Sequence, residues 1–442
     1  MRKQLTHKHK PAFILLALLL VFSILLPTFA TTSALNTQYE VDTITTSKIC
    51  EVINTYSNTN SITYSIINAF PLQSISGGTS YTLYQLSPYG YAILLNETQS
   101  LMEACYVRNS VLPVDINSDY TIYYGGPGIY CVKQGNEFYN LANDSVLASA
   151  ELSEIVQMED YVQNAQKEYY SLNVQTNTTR GNQRSTFTYS AGYDYFSSLN
   201  DFGINENGTC TVIAAQMLLS YYDNYVDDDF IAAQYEEGAG SSEAFHQLLC
   251  DYAYGSNAQG GIYIHEAASG ITNYLHDRHF HYSLESEYSS RDNAISQIII
   301  TLGSGKPVIA SMGTHLNAPW NHSVLVYSVN FDSTNPIGSA VLTMNLGTKD
   351  GSANQRAYVA SASWFYECGY LANNTGTHEM GEWIDLNSIY HIRICDDCSF
   401  TEKGLHYESW SIPKQRCTVC PRTGSCANIM KDNPDSSESH IQ

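Results

Sequence analysis

Basic residues are scarce in this sequence. Its 442 residues include 21 Lys and Arg against 43 Asp and Glu, which gives a formal net charge of -22. Binding to a nucleic-acid backbone depends on clustered Lys and Arg, so the composition argues against a nucleic-acid partner. Hydrophobic residues make up 43% of the chain and aromatic residues 12%, which is enough for a buried core.

Long apolar runs are also rare. The one run near the N-terminus covers residues 12–26, follows four basic residues and precedes small residues. This pattern predicts a signal peptide over residues 1–34, export from the cell, and no integral membrane domain after its removal. The alternative is an uncleaved membrane anchor, although the run is shorter than the ~20 residues that cross a bilayer.

Several catalytic motifs are missing. The sequence contains no zinc-protease HExxH, no nucleophile-elbow GxSxG and no phosphate-binding loop. His265-Glu266 begins like the zinc motif but lacks its second histidine. The common metalloprotease, serine hydrolase and nucleotide-binding signatures are therefore not the basis of function here.

The pattern of hydrophobic residues changes along the chain. Residues 35–172 alternate short β-like runs with turns and end in a helical segment, which predicts an α+β domain. The polar residues 173–188 are an interdomain linker or a processing segment. Residues 189–390 mix predicted helices and strands in a second α+β domain, and residues 391–442 form a Cys-rich tail.

A cysteine begins the strongest motif. Residues 207–222 read NGTCTVIAAQMLLSYY, so a Gly-Thr turn delivers Cys210 to the first position of a helix that is apolar nearly all round. Backbone N–H groups and the helix dipole favour an anion at that end, which suits a thiolate nucleophile. The alternative is a cysteine that only fills space in the core.

Two further residues complete a pattern for nucleophilic catalysis. His322 stands immediately before the predicted strand 323–329, and Asn345 ends the next predicted strand. Neighbouring strands would bring their side chains together, so that His322 takes the proton of Cys210 and Asn345 orients the imidazole ring. The alternatives are His315 as the base and Asp332 or Asp350 as the orienting group.

The motifs GTCTVIAAQMLLSYYD, GKPVIASM, NHSVLVYSVNFD and AVLTMN resemble those of bacterial papain-like cysteine peptidases, especially the bacteriocin-leader peptidase-like, staphopain and streptopain groups. The resemblance covers residues 189–390. It implies an α+β fold in which a central helix carrying the cysteine packs on an antiparallel β-sheet. It also implies that Cys210 is the nucleophile, His322 the base and Asn345 the orienting residue.

The hairpin YTLYQLSPYGYAILLN at residues 81–96 resembles an inhibitory prodomain of the streptopain type, which implies that residues 35–172 form a prodomain. Two departures from the family stand near the cysteine. The family's Gln, whose side chain supplies an oxyanion donor, is absent, and Asn205 is the expected substitute, with Asn207 or Asn200 as alternatives. Thr211 replaces the common Gly after the nucleophile. A missing donor of this kind costs roughly 2.7–4 kcal/mol in the transition state.

Five of the eleven cysteines fall within residues 395–426. Two CxxC pairs have the spacing of a zinc ribbon and predict a structural zinc bound by Cys395, Cys398, Cys417 and Cys420. His406 and Cys426 are spare ligands, and disulfides are the alternative in an exported chain. A four-cysteine site leaves no open position, so this zinc would be structural and not catalytic. No cofactor is expected for catalysis, because the proposed Cys–His–Asn residues need none.

Together these patterns predict a secreted cysteine endopeptidase that acts on peptide or protein substrates and is made as a zymogen. The resemblance implies a bacterial source of the Gram-positive type, with association at the cell surface as one option. The first alternative is an amidase or transpeptidase that acts on cell-wall peptides through the same triad. The second is a catalytically inactive surface-binding protein, for which the 35 tyrosines would supply contacts.

Overall fold

The computed structural model describes residues 43–57, 62–78, 80–115, 120–141, 144–179, 186–199, 208–238, 240–255, 261–278, 280, 282–313, 322–333, 335–347, 353–373, 382–385, 390–394, 401–405, 410–411 and 416–417. The predicted signal peptide and the zinc ligands Cys395, Cys398 and Cys420 lie outside these residues, and nothing is described of the Cys417 side chain. None of the described helices combines the length and apolar character needed to cross a membrane.

Helices occur in both predicted α+β regions. The helices are α1 (Thr43–Tyr56), α2 (Ser149–Thr179), α3 (Tyr193–Ser198), α4 (Cys210–Tyr225), α5 (Glu243–Tyr254), α6 (Ile264–Asp277), α7 (Arg291–Gly303), α8 (Pro336–Ser339) and α9 (Ala353–Arg356). Polar caps fix two of their starts, because the Ser242 and Ser290 side chains accept hydrogen bonds from the first turns of α5 and α7. The predicted α+β class is confirmed.

Most strands join one large sheet. The strands are β1 (Ser65–Ser74), β2 (Ser80–Ser87), β3 (Tyr91–Leu95), β4 (Ser100–Cys105), β5 (Ile122–Gly126), β6 (Ile129–Gln134), β7 (Glu137–Asn140), β8 (Ser145–Val146), β9 (Thr186–Ser190), β10 (Glu236–Glu237), β11 (Gly240–Ser241), β12 (Tyr282–Glu287), β13 (Val308–Met312), β14 (His322–Asp332), β15 (Val341–Asn345), β16 (Tyr358–Ser361), β17 (Phe365–Asn373), β18 (Ile384–Asp385), β19 (Tyr390–Ile394), β20 (Thr401–Leu405), β21 (Trp410–Ser411) and β22 (Arg416–Cys417).

Within the described residues, the large sheet has the order β12-β17-β13-β14-β15-β16-β4-β3-β2-β1-β5-β6-β7-β8, and β9 pairs with β14 off this path. Its neighbours are antiparallel except for the β1–β5 pair. The predicted hairpin at residues 81–96 forms β2 and β3. Three small sheets contain β10–β11, β18–β19–β20 and β21–β22.

The sheet crosses from the predicted prodomain into the predicted peptidase domain. Strand β4 pairs with β16, with Cys105 opposite Tyr358. One apolar core contains buried residues of both regions, among them Tyr91 and Val326. The two regions also approach closely at Gly126, where an added Cβ would lie 2.8 Å from the Trp364 ring. The described residues from Thr43 onward belong to one compact unit, and the domain boundaries stay predictions.

The cysteine helix α4 lies against the part of this sheet near its β12 end. Every residue from Cys210 to Ser220 is buried, which explains why the sequence is apolar nearly all round rather than along one stripe. The helix packs on β13 and β14 on one side and on α5 on another. Its apolar side chains share a core with Leu325 and Tyr327 of β14. The helix start is therefore held at a fixed place beside the first residue of β14.

Candidate active site

Cys210 is the first residue of α4. Gly208 before it has a positive φ of 79°, and the Thr209 carbonyl accepts the Ile213 N–H at 3.0 Å as the helix begins. The side chain is 9% exposed. A thiol at this position faces the N–H groups and positive end of the helix dipole, where a negative charge is favoured.

His322 is the first residue of β14 and lies opposite Met312 of β13. The next residue, Ser323, donates its backbone N–H to Cys210 Sγ at 3.4 Å. The thiol of Cys210 and the imidazole of His322 are close enough for each to shift the pKa of the other. The structure thus brings together two residues that lie far apart in the sequence.

The Leu346 carbonyl sets the orientation of the imidazole. His322 Nε2 lies 2.7 Å from the Leu346 carbonyl oxygen. A carbonyl oxygen only accepts hydrogen bonds, so Nε2 carries the hydrogen and Nδ1 is the nitrogen left for Cys210. Sequence reasoning missed Leu346, because a main-chain carbonyl leaves no residue-type signal.

Asn345 lies next to this contact, but its side chain bonds elsewhere. Its Nδ2 donates to the Phe196 carbonyl at 2.9 Å, and its Oδ1 accepts the Gly347 N–H at 2.8 Å. Gly347 has a φ of 64°, and an added Cβ there would lie 2.7 Å from Ile213 of α4. Asn345 therefore holds the turn that presents the Leu346 carbonyl, rather than contacting the imidazole as the sequence predicts.

The pKa values of the pair move toward each other. Burial raises the pKa of the Cys210 thiol, but the hydrogen bond and charge of His322, together with Ser323, lower it more, from 9.0 to about 7. Burial lowers the pKa of His322, but the hydrogen bond and charge of Cys210 and the Leu346 carbonyl raise it above 6.5. These shifts favour a thiolate–imidazolium pair near neutral pH.

A second histidine braces the start of the cysteine helix. His246 of α5 lies 3.2 Å from Thr209 Oγ1 through Nε2 and 3.2 Å from Gln216 Oε1 through Nδ1. Gln216 donates through its own amide to Ser241, so its Oε1 accepts and His246 Nδ1 donates. Burial lowers the pKa of His246, which keeps the ring neutral. Sequence reasoning missed the contact of His246 with Gln216 because the two residues lie on different helices, α5 and α4.

The other candidates divide into two groups. Asp332 ends β14, the strand that His322 begins, so it lies about 30 Å away along an extended chain and does not reach the imidazole. The remaining candidates, namely His315, Asp350, Asn200, Asn205 and Asn207, lie outside the described residues. Asn205 as an oxyanion donor stays a prediction, as does the zinc site of the tail.

Comparison with known families finds a match that covers Cys210 and His322 of this site. Residues 190–343 match the Peptidase_C39 like family. It supports a papain-like cysteine peptidase family, indicates a cysteine peptidase and suggests a protein substrate. Comparisons with curated proteins and with solved structures find no match.

Proposed function

We propose that this chain is a secreted endopeptidase of the papain-like type, in which Cys210 is the nucleophile and His322 the general base and acid. The observation that carries the proposal is the pair itself. A buried thiol at a helix start lies beside an imidazole that lowers its pKa, and the far nitrogen of that imidazole is fixed by the Leu346 carbonyl. That arrangement supplies the nucleophile, the base and the group that orients the base, as a cysteine peptidase requires.

In the proposed reaction, Cys210 Sγ attacks the carbonyl carbon of a peptide bond while its proton resides on His322. The imidazolium then protonates the leaving amine, which breaks the C–N bond and leaves a thioester on Cys210. Water, deprotonated by His322, hydrolyses the thioester and restores the thiol. The Cys210 N–H at the helix start is the proposed first donor to the oxyanion, and Asn205 is the proposed second.

The papain-like fold is part of the same proposal. Its support is the packing of α4, which carries Cys210 at its start, against the antiparallel strands β13 and β14. His322 begins one of these strands and Asn345 ends its neighbour β15. This is the arrangement that the sequence resemblance implies for residues 189–390.

Secretion and synthesis as a zymogen are also proposed. The basic and apolar pattern of residues 1–34 supports export. Helix α2 ends at Thr179 and β9 begins at Thr186, so a cut in residues 180–185 would leave both elements whole. Because β4 pairs with β16, the two products of such a cut would stay associated until that pairing is broken.

The first test compares residues 35–442 with the same chain carrying Cys210→Ala, under reducing conditions, by following the mass with time. Cys50→Ala is the matched control, since Cys50 is a half-buried cysteine of α1 away from the site. We expect the unmodified chain and Cys50→Ala to be cut near residues 180–185 and to hydrolyse casein. Cys210→Ala should stay intact and inactive.

The proposal fails if Cys210→Ala is processed and hydrolyses casein like the unmodified chain. It also fails if no chain is active and iodoacetamide does not modify Cys210 after the N-terminal region is removed by an added protease. Release of cell-wall peptides without casein hydrolysis would replace the endopeptidase by an amidase on the same pair.

A further inference from the structure

Three hydroxyl groups lie in a row beside Cys210. Thr211 Oγ1 is 2.8 Å from Ser323 Oγ, and Ser323 Oγ is 3.0 Å from Ser311 Oγ. All three side chains are buried. Thr211 follows the cysteine in α4, whereas Ser311 and Ser323 stand opposite each other on β13 and β14. The row is thus built from the same three elements that assemble the candidate active site.

The hydroxyl proton of Thr211 already forms a hydrogen bond with another group. Thr211 Oγ1 donates to the Ile262 carbonyl at 2.7 Å, and a hydroxyl has one proton. The 2.8 Å contact with Ser323 is therefore a hydrogen bond only when Ser323 donates and Thr211 accepts. At the other end, Ser311 donates to Glu367 Oε2 at 3.4 Å or to Ser323 Oγ.

Ser323 has one hydroxyl proton. Ser311 Oγ can accept it when Ser311 donates to Glu367, and two further acceptors lie on the side of Cys210. The first is Thr211 Oγ1. The second is Cys210 Sγ, which receives the Ser323 backbone N–H at 3.4 Å, so that the hydroxyl-bearing side chain of the same residue stands beside it. The Ser323 side chain also contributes to lowering the pKa of Cys210. A thiolate is a stronger acceptor than a neutral hydroxyl oxygen, so ionisation of Cys210 draws this proton toward sulfur.

We propose that Ser323 is a further catalytic residue, whose hydroxyl donates to the Cys210 thiolate and turns back to Thr211 when sulfur becomes neutral in the thiol or thioester. Thr211, which replaces the glycine of related sequences, is the competing acceptor. The inference rests on the proposed function, because it concerns the same thiolate. It adds a donor that the Cys–His–Asn pattern does not contain.

The titratable groups around Cys210 on neighbouring elements are His322 of β14, Tyr254 of α5 and Tyr366 of β17. Burial raises the pKa of both tyrosines, so they stay uncharged near neutral pH. At the far end of the hydroxyl row, Glu367 accepts a hydrogen bond from His265 Nδ1 at 2.7 Å. The experiment must therefore separate the effect of Ser323 from that of His322.

The test measures the rate at which iodoacetamide modifies Cys210 as a function of pH, by mass spectrometry of the peptide that contains it. The proteins are the unmodified chain, Ser323→Ala, Ser323→Thr, Thr211→Val, Thr211→Ser and His322→Ala. We expect Ser323→Ala to move the midpoint up by about 1–2 pH units, the effect of one lost hydrogen bond to a charged group. Ser323→Thr should restore it.

Thr211→Val should move the midpoint in the opposite direction, down by a few tenths of a pH unit, because it removes the competing acceptor at nearly constant volume. Looser packing also lowers the pKa of a buried thiol, so Thr211→Ser is the matched control, because it loses the methyl group and keeps the acceptor; only a downward shift with Thr211→Val that Thr211→Ser lacks supports the inference. The comparison of Thr211→Val with Thr211→Ser therefore decides the question even where Ser323→Ala fails to fold, which a thermal melt would reveal.

Opposite shifts in Ser323→Ala and Thr211→Val support the inference. Unchanged midpoints, or shifts in the same direction, overturn it. His322→Ala tests the proposed function separately, because loss of the imidazole should move the midpoint up by more than Ser323→Ala does. A shift with His322→Ala alone rejects the role of Ser323 and keeps the peptidase proposal, whereas no shift with His322→Ala rejects the Cys–His pair.

Discussion

Buried thiols occur in both halves of the sheet, and they differ in the sign of their pKa shift. Burial raises the pKa of Cys105 in β4 and of Cys131 in β6 to about 12. Cys210 is buried too, yet its pKa falls to about 7 because His322 and Ser323 bond the thiolate. The difference teaches that an ionic partner, rather than burial or exposure, separates the reactive cysteine from the inert ones.

The buried carboxyl groups of the N-terminal half resemble Cys105 and Cys131, because burial raises their pKa values as well. Burial raises the pKa of Glu103, although Tyr91 donates to it at 2.9 Å, Tyr130 also donates, and the Gly128 N–H lies at 3.3 Å. Hydrogen bonds from neutral donors of this kind only partly offset the cost of removing the Glu103 carboxylate from water. In the other half, Glu367 contacts the imidazole of His265 at 2.7 Å.

The largest expected effect is in thiol reactivity. At pH 7, iodoacetamide should modify Cys210 more than about 1000-fold faster than Cys105 or Cys131, because their thiolate fractions differ by more than that. The measurement is mass spectrometry of each cysteine-containing peptide over time. In urea the three rates should converge, and equal rates in the folded protein would contradict the comparison.

Removal of the partner should turn Cys210 into a cysteine of the inert type. With His322→Ala, burial is no longer opposed by the imidazole, so casein hydrolysis should fall by about 100- to 10,000-fold. His276→Ala is the control, since His276 is exposed at the end of α6. A similar loss in both variants would show that the effect is not specific to the pair.

Weakening the turn that holds the imidazole should have a smaller effect. Asn345→Ala removes the bonds to Phe196 and Gly347 and lets the Leu346 carbonyl move, so casein hydrolysis should fall about 10- to 100-fold. Leu346→Ala keeps the carbonyl and should change the rate per folded molecule by less than about threefold. The reverse order of the two variants would exclude the positioning role of Asn345.

The remaining expected effect is on stability, in the N-terminal half. Burial first of all raises the pKa of Glu159 in α2 from 4.5 to about 7. The folded state therefore binds this proton more tightly than the unfolded state. The resulting stabilisation is complete below pH 4.5 and is lost as the pH rises through about 7.

Glu159→Gln should remove that pH dependence, which is on the order of 3 kcal/mol at most. Urea unfolding at pH 5 and pH 8 measures it. Glu168→Gln is the control, because Glu168 is exposed on the same helix. If the variant Glu159→Gln keeps the pH dependence of the unmodified chain, another group is responsible.

Local patterns predict local structure in this chain, and they predict half of the candidate site. The start of α4 at Cys210, the start of β14 at His322 and the hairpin of β2 and β3 all follow from motifs of a few residues. The Leu346 carbonyl does not, because the turn Asn345-Leu346-Gly347 presents a main-chain atom. The β4–β16 pairing also escapes prediction, since no local signal specifies which distant strands become neighbours.

The distance in sequence between α4 and β14 has a consequence for folding kinetics. Cys210 meets His322 only when α4 docks on β14. The contact of Cys210 with the neighbouring Ser323 spans 113 residues, and such long-range contacts form late because loop closure must come first. Until then Cys210 is an ordinary thiol with a pKa near 8.5. The nascent chain thus holds an unactivated thiol, and the pKa of Cys210 falls only in a molecule in which α4 has docked on β14.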